Sequence, residues 1–268
     1  MTHHITSRHN PRVKAAAKLR TGRKREAAAR FLIDGPREIA RAIAAGVEIA
    51  EAFVCEELVE GDEATAAVTK LRAAAGEFAT VAPEVFEKLC YGDRGSGAVA
   101  VAVPPTRSLA RLQLPAAPLV AVIEGVEKPG NVGAVLRSAD GAGLDAVVVA
   151  DPRTDLYNPQ TIRASLGTVF GSHVCTATAA DTLAWLRTLD VPLVAARPDA
   201  TQLYTQLDYR HGAAIILGSE ATGLTDLWNA ADVTPVRLPM HGLADSLNVS
   251  VSAAVMFYEA ERQRAQAT

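Results

Sequence analysis

Three segments rich in glycine, asparagine and serine each follow a short run of aliphatic residues, and all three lie beyond residue 121 of the 268-residue chain. They read Val122-Ile-Glu-Gly-Val-Glu-Lys-Pro-Gly-Asn-Val-Gly-Ala-Val-Leu-Arg137, Ile216-Leu-Gly-Ser-Glu-Ala-Thr-Gly223 and Leu238-Pro-Met-His-Gly-Leu-Ala-Asp-Ser-Leu-Asn248. Apolar runs that end in small and amide residues are what an open α/β sheet presents at the carboxyl ends of its strands, where such sheets form their ligand crevices. One such segment would constrain little. Three in order restrict this part of the chain to a sheet whose strands feed loops along one edge.

The rest of the pattern agrees. Residues 13–30 hold one glycine and no proline among many Ala, Lys and Arg, which predicts a helix. Strands are expected at 31–34, 52–55, 78–81 and 98–103. Helices are expected at 36–46, 63–75 and 84–89, two of them opened by Pro36 and Pro83. Strands alternating with helices give a small α/β domain over 1–103. Pro104, Pro105, Pro115 and Pro118 mark 104–118 as a linker. A second domain, 119–268, carries strands at 119–124, 146–150, 173–175, 193–196, 213–217 and 233–237 and a last helix over 248–264. Continuous apolar runs such as Ala146-Val-Val-Val-Ala150 suit strands covered on both faces, hence a mostly parallel sheet.

Composition narrows the function classes. Apolar residues make up 49% of the chain, enough for a sizeable core, and no apolar run approaches the roughly 20 residues that span a membrane. No secretory signal is expected, because the basic N-terminus is not followed by an apolar stretch. Cys55, Cys90 and Cys175 are odd in number and widely spaced, so neither a disulfide framework nor a metal site is expected; buried thiols in a reducing cytoplasm are. The net charge of −3 conceals a basic N-terminus, in which residues 1–30 hold nine Lys or Arg against one acid. A polyanion-binding arm follows, with Arg8, Arg12, Lys14, Lys18, Arg23, Lys24 and Arg25 as candidate RNA contacts, although a solvated basic helix has the same composition.

The first glycine segment does not form G-x-G-x-x-G, nor is G-x-x-x-x-G-K-[ST] present, so a dinucleotide or nucleotide-phosphate site is disfavoured. Taken singly, Asn131 reads as a helix cap and Arg137 as a surface cation. The series is more specific. Glu-Gly-x-x-x-Pro-Gly-Asn-x-Gly-Ala-x-x-Arg, then Leu-Gly-Ser-Glu-x-x-Gly-Leu, then Leu-Pro-Met with Ser-Leu-Asn-Val-Ser-Val-Ser resembles the three motifs of the SpoU/TrmH class of SPOUT RNA methyltransferases, over residues 119–264. The openings Ile-Thr-Ser-Arg-His-Asn-Pro-Arg-Val-Lys and Phe-Leu-Ile-Asp-Gly-Pro-Arg-Glu resemble the L30e-like RNA-binding domain often fused ahead of it.

The resemblance implies a deep trefoil knot in the second domain, a homodimer, and S-adenosylmethionine as methyl donor with no metal. Carried over by motif, Ala195, Ala196, Leu217, Gly218, Leu238, Met240, Ser246 and Leu247 would form the donor pocket. Asn131, Arg137, Glu220, Ser246 and Asn248 would serve methyl transfer to a ribose 2′-hydroxyl. Arg137 would either activate that hydroxyl or bind the adjacent phosphate and stabilise the developing alkoxide, the second being easier for a group that is always protonated. Glu220 would hold Arg137 or Asn131, or simply favour a helix start; Ser246 would touch the donor or cap the last helix. Arg163 is a further candidate for RNA phosphate.

Large-subunit (23S) ribosomal RNA is the expected substrate, because the added domain and basic arm are similar to the ribosomal branch, which includes enzymes of antibiotic resistance. Transfer RNA is the alternative. A non-catalytic RNA-binding protein of the same fold is a third possibility, against which intact Arg137, Gly218 and Asn248 argue.

Overall fold

A computed structural model of the chain describes residues 3–91 and 96–266. The chain forms two compact units, Met1–Thr106 with Asp155–Gly171, and Arg107–Thr154 with Ser172–Thr268.

The first unit holds β1 (His3–Ile5), α1 (Pro11–Lys18), α2 (Gly22–Ala28), β2 (Phe31–Asp34), α3 (Pro36–Ala44), β3 (Ile49–Val54), α4 (Gly61–Ala74), β4 (Glu77–Val81), α5 (Pro83–Leu89) and β5 (Ala98–Ala102). Its sheet runs β1-β4-β3-β5-β2. β1 and β3 flank β4 in parallel, whereas β5 is antiparallel to both β3 and β2. Strand β1 was not expected, since only Ile5 of its three residues is buried and no alternation marks it.

The helix expected over 13–30 is two helices, and Arg25 accounts for the break. Its buried guanidinium donates from Nη1 to the carbonyls of Leu19 and Arg20, each at 2.9 Å, the groups left free where α1 ends. Asn10 caps α1 through the Arg12 amide, and Ala29 closes α2 in a left-handed conformation at φ 46°.

The second unit holds β6 (Leu119–Glu124), α6 (Pro129–Gly141), β7 (Ala146–Ala150), β8 (Val174–Ala177), α8 (Ala179–Leu186), β9 (Leu193–Ala196), β10 (Ala213–Leu217), β11 (Val233–Val236) and α9 (Val249–Ala265); the intervening α7 (Pro159–Ala164) belongs to the first unit. The sheet order is β11-β9-β10-β6-β7-β8, and each neighbouring pair is parallel. β6, β7 and β10 are buried along their whole length, in keeping with runs that are apolar throughout in β7 and β10 and up to Glu124 in β6. The central β6 and β10 run in register with Ile123 beside Leu217, so the two loops that leave them start side by side.

Residues 155–171 depart from the expected boundary. The N-terminal piece of the first unit runs to Thr106, and this later segment packs with it. Phe31 stacks on Tyr157 with ring centroids 4.5 Å apart, and Phe170 lies 6.0 Å from Phe31. Asp155 pairs with the buried Arg25, and Arg41 donates to the Leu166 carbonyl at 2.8 Å. The segment's apolar and charged groups are therefore satisfied in the first unit.

Candidate functional site

The second unit contains a cavity of about 200 Å³ at the carboxyl ends of its strands. Ala196, Arg197 and Pro198 bound it where β9 ends; Leu217, Gly218, Ser219 and Glu220 do so where β10 ends. Leu238, Met240, Asp245, Ser246 and Leu247 form a third wall, and the first turns of α9 add Val249 and Ser252. Leucine and methionine side chains give an apolar slot, and two carboxylates stand beside it. That combination suits a ligand with a flat apolar part and a cationic part. The expected donor residues thus meet at one place, with one exception: Ala195 is fully buried within the sheet and is not part of the wall, because consecutive strand residues face opposite ways.

Gly218 fits without a side chain for a geometric reason. A Cβ there would lie 2.2 Å from the carbonyl carbon of Gly223. The two glycines bracket a turn closed by its own backbone: the Ser219 amide donates to Gly223 at 3.2 Å and the Gly223 amide returns to Ser219 at 2.9 Å. The Ser219 hydroxyl also accepts from the Thr222 amide at 3.1 Å. Glu220 rides on this turn.

Next to the cavity lies a polar cluster. The Asn248 side-chain amide donates to Glu220, and Asn131 Oδ1 lies 3.4 Å from the same nitrogen. Asn248 Oδ1 accepts from the Ser250 amide at 2.9 Å and from its hydroxyl at 2.6 Å, which makes Asn248 the cap of α9. The expected alternative cap, Ser246, is left on the cavity wall. Lys128 Nζ is 3.3 Å from the other oxygen of Glu220. Asn131 Nδ2 is buried with no hydrogen-bond partner among the described residues. Arg137, on α6, is exposed and makes no hydrogen bond or ion pair there. Glu220 therefore holds Asn248 and Lys128, not Arg137.

Several contributors were not anticipated. Lys128, Arg197 and Asp245 carry charge at the site, and only Lys128 had a visible signal, its place directly before Pro129-Gly-Asn131. Arg197 is engaged with Asn229 and, at 3.3 Å, with Asp199. Asp245 is exposed with no partner among the described residues. Glu124, at the end of β6, is buried and binds Thr225 through both carboxylate oxygens.

In the first unit the candidate RNA contacts separate into two sets. Arg8 binds the Glu84 carbonyl and Glu87, and Arg12 binds Glu51 and Glu77. Arg25 departs outright from its expected role: it is 5% exposed and committed to Asp155 and two carbonyls, so it is a structural residue. Arg163 stands 3.5 Å from Asp34, donates to the Tyr91 carbonyl and lies 5.2 Å from the Tyr91 ring centroid. Burial pushes the Asp34 carboxyl up, against the Tyr91 amide and the Arg163 charge that lower it. Lys14, Lys18, Arg23 and Lys24 are exposed and have no partner among the described residues.

Among the described residues no group of three or more His, Cys, Asp or Glu could hold a metal, and no helix is long and apolar enough to cross a membrane.

Residues 118–258 match the SpoU rRNA Methylase family, and 10–100 match the MRM3-like substrate binding domain. The 23S rRNA (guanosine-2′-O-)-methyltransferase RlmB of Bordetella pertussis is 38% identical over 193 residues, 69% of this chain and 77% of that protein. A crystal structure of an RNA 2′-O ribose methyltransferase superposes with a TM-score of 0.84 at 44% identity, covering 98% of this chain and 99% of that one. The SpoU methyltransferase AviRb of Streptomyces viridochromogenes, in complex with AdoMet, gives 0.84 at 26% identity over 96% and 99% of the two chains.

Proposed function

This chain belongs to the SpoU rRNA Methylase family, and on that premise we propose that it transfers a methyl group from S-adenosylmethionine to a ribose 2′-hydroxyl in 23S ribosomal RNA. One observation carries the reading: Glu220 is at once part of the cavity wall and the partner of Asn248 in the polar cluster, so a donor site and an acceptor site share a residue.

The residues fit the donor. The apolar wall of Leu217, Leu238, Met240 and Leu247 takes the adenosine, and the carboxylates of Glu220 and Asp245 suit a cationic sulfur and ammonium. When bound, the donor supplies an activated methyl group on a sulfonium. What remains for the chain is to bring a weakly nucleophilic hydroxyl into line and relieve it of its proton. Asn131, with a buried unpaired amide nitrogen, and Asn248 orient the ribose. Arg137, exposed to solvent, is free to meet phosphate and to stabilise the alkoxide as the proton passes to water, the oxygen–methyl bond forms and the sulfur–methyl bond breaks to leave S-adenosylhomocysteine.

Large-subunit ribosomal RNA is supported by the names of the relatives, including the RlmB protein of Bordetella pertussis. Docking of that RNA falls to the first unit, where Lys14, Lys18, Arg23 and Lys24 form the free basic set. A homodimer is supported by α9, on which Val251, Ala254, Val255 and Tyr258 recur at helical spacing and remain partly or fully exposed. Free, buried Cys55, Cys90 and Cys175 agree with action in a reducing cytoplasm.

Mapping 2′-O-methyl sites on 23S and transfer RNA incubated with the protein and S-adenosylmethionine tests the proposal. A single new site in 23S RNA is expected. New sites in transfer RNA alone would overturn the substrate, and no transfer to either would overturn the activity.

A further inference from the structure

Glu124 closes a strand that is otherwise wholly apolar, and it is 3% exposed. A carboxylate in that position is costly unless every lone pair it turns inward is met. Thr225, 101 residues later, gives each oxygen one donor: its backbone amide reaches Oε2 at 2.9 Å and its hydroxyl reaches Oε1 at 2.8 Å. Thr225 is the exit of the turn that carries Glu220.

That turn behaves as one piece. It is closed internally by the paired bonds between Ser219 and Gly223 and by Ser219 to Thr222 at 2.8 Å. Its entry is fixed by β10, since Leu217 is in register with Ile123. Its exit is fastened by Glu124. With both ends held, the Glu220 carboxylate is delivered to Asn248 and to Lys128, and Gly218 and Gly223 keep their place on the cavity wall.

We propose that Glu124 is a positioning residue that latches the 218–225 turn through Thr225 and so fixes both the donor cavity and the Glu220–Asn248 pair. It is not part of the cavity wall. Its consequence for methyl transfer rests on the function proposed above; the latch itself does not.

The test uses the full chain with Thr225→Val, which keeps the shape and the backbone bond but removes the hydroxyl, and Thr225→Ser, which restores the hydroxyl. Hydrogen exchange at the Ser219 and Gly223 amides reads the turn directly, and calorimetric titration with S-adenosylmethionine reads the cavity. Loss of one hydrogen bond to a buried carboxylate should speed exchange and weaken donor binding by about tenfold each in the valine variant. KM for RNA should change little while kcat falls, and serine should return all of these to near the parent values. A role confined to overall stability would lower the melting temperature without the local exchange signature. Should valine perturb folding, Thr225→Ala makes the same deletion without added bulk. Unchanged exchange in the valine and alanine variants, or a loss that serine fails to restore, overturns the proposal. If the parent chain binds no S-adenosylmethionine but exchange still responds to Thr225, the methyl-transfer reading falls and the latch stands.

Discussion

Asn248 uses its two side-chain atoms for two different tasks: its nitrogen donates to Glu220, and its oxygen caps α9 through the Ser250 amide at 2.9 Å. The end of a structural helix and the polar cluster beside the cavity are thereby the same residue. Asn248→Asp separates the tasks. Aspartate still caps the helix, but it sets a second carboxylate against Glu220. The melting temperature should hold, while methyl transfer falls by about a hundredfold, a loss of the order seen when one oriented donor is removed from an active site. Thermal melting beside a tritium-transfer assay checks both halves.

Arg137 is exposed and unengaged among the described residues, so its removal disturbs no internal bond. Arg137→Ala should cut kcat by about a thousandfold or more and leave donor affinity within about twofold in calorimetry, because the residue is not on the cavity wall. Turnover equal to the parent would remove Arg137 from the mechanism.

Arg25 predicts the opposite kind of effect. Its guanidinium holds the carbonyls of Leu19 and Arg20 where α1 ends and the carboxylate of Asp155, from a position 5% exposed. Arg25→Met should destabilise the first unit by about 3 kcal/mol, as expected when buried groups lose their charged partner. Denaturant unfolding should show this directly. RNA affinity measured well below the melting point should change much less.

Lys14 and Lys18 are exposed without partners, whereas Arg12 on the same helix is tied to Glu51 and Glu77. Changing either lysine to Gln should weaken RNA binding and lower the slope of log affinity against log salt by about 1, with no loss of stability. Arg12→Gln should instead lower stability. Filter binding across a salt series with parallel melting curves distinguishes the two.

Burial pushes the Cys175 thiol up to about 11, and burial also raises Cys55 and Cys90. Thiolate is the reactive form, so modification of the folded protein by a disulfide reagent should be slow at pH 8 and quicken towards pH 11. In denaturant all three should react at once. Rapid labelling of Cys175 in the folded state at pH 8 would contradict its burial.

The strands of the second unit were legible because β7 and β10 are uninterrupted apolar runs and β6 is apolar up to Glu124, the composition that suits strands covered on both faces. The cavity was legible through its motifs, which lie where those strands end. Other features were decided by contacts between distant residues. Propensity alone continues the helix through Leu19, Arg20 and Thr21; the break depends on where Arg25 is buried. Ala195 and Ala196 look alike in sequence, and only the facing of β9 puts one in the core and the other on the wall. Glu124 stood in plain view at the end of its strand, but its partner lies 101 residues away. The trefoil knot remains an expectation of the resemblance alone, since no residue pattern implies it.

The inclusion of Asp155–Gly171 in the first unit changes what counts as a transferable module. A chimera that exchanges only the N-terminal residues would graft Phe31, Arg25 and Arg41 without Tyr157, Phe170, Asp155 and the Leu166 carbonyl that complete them. Recombination between relatives should therefore succeed only when crossovers carry both pieces from one parent.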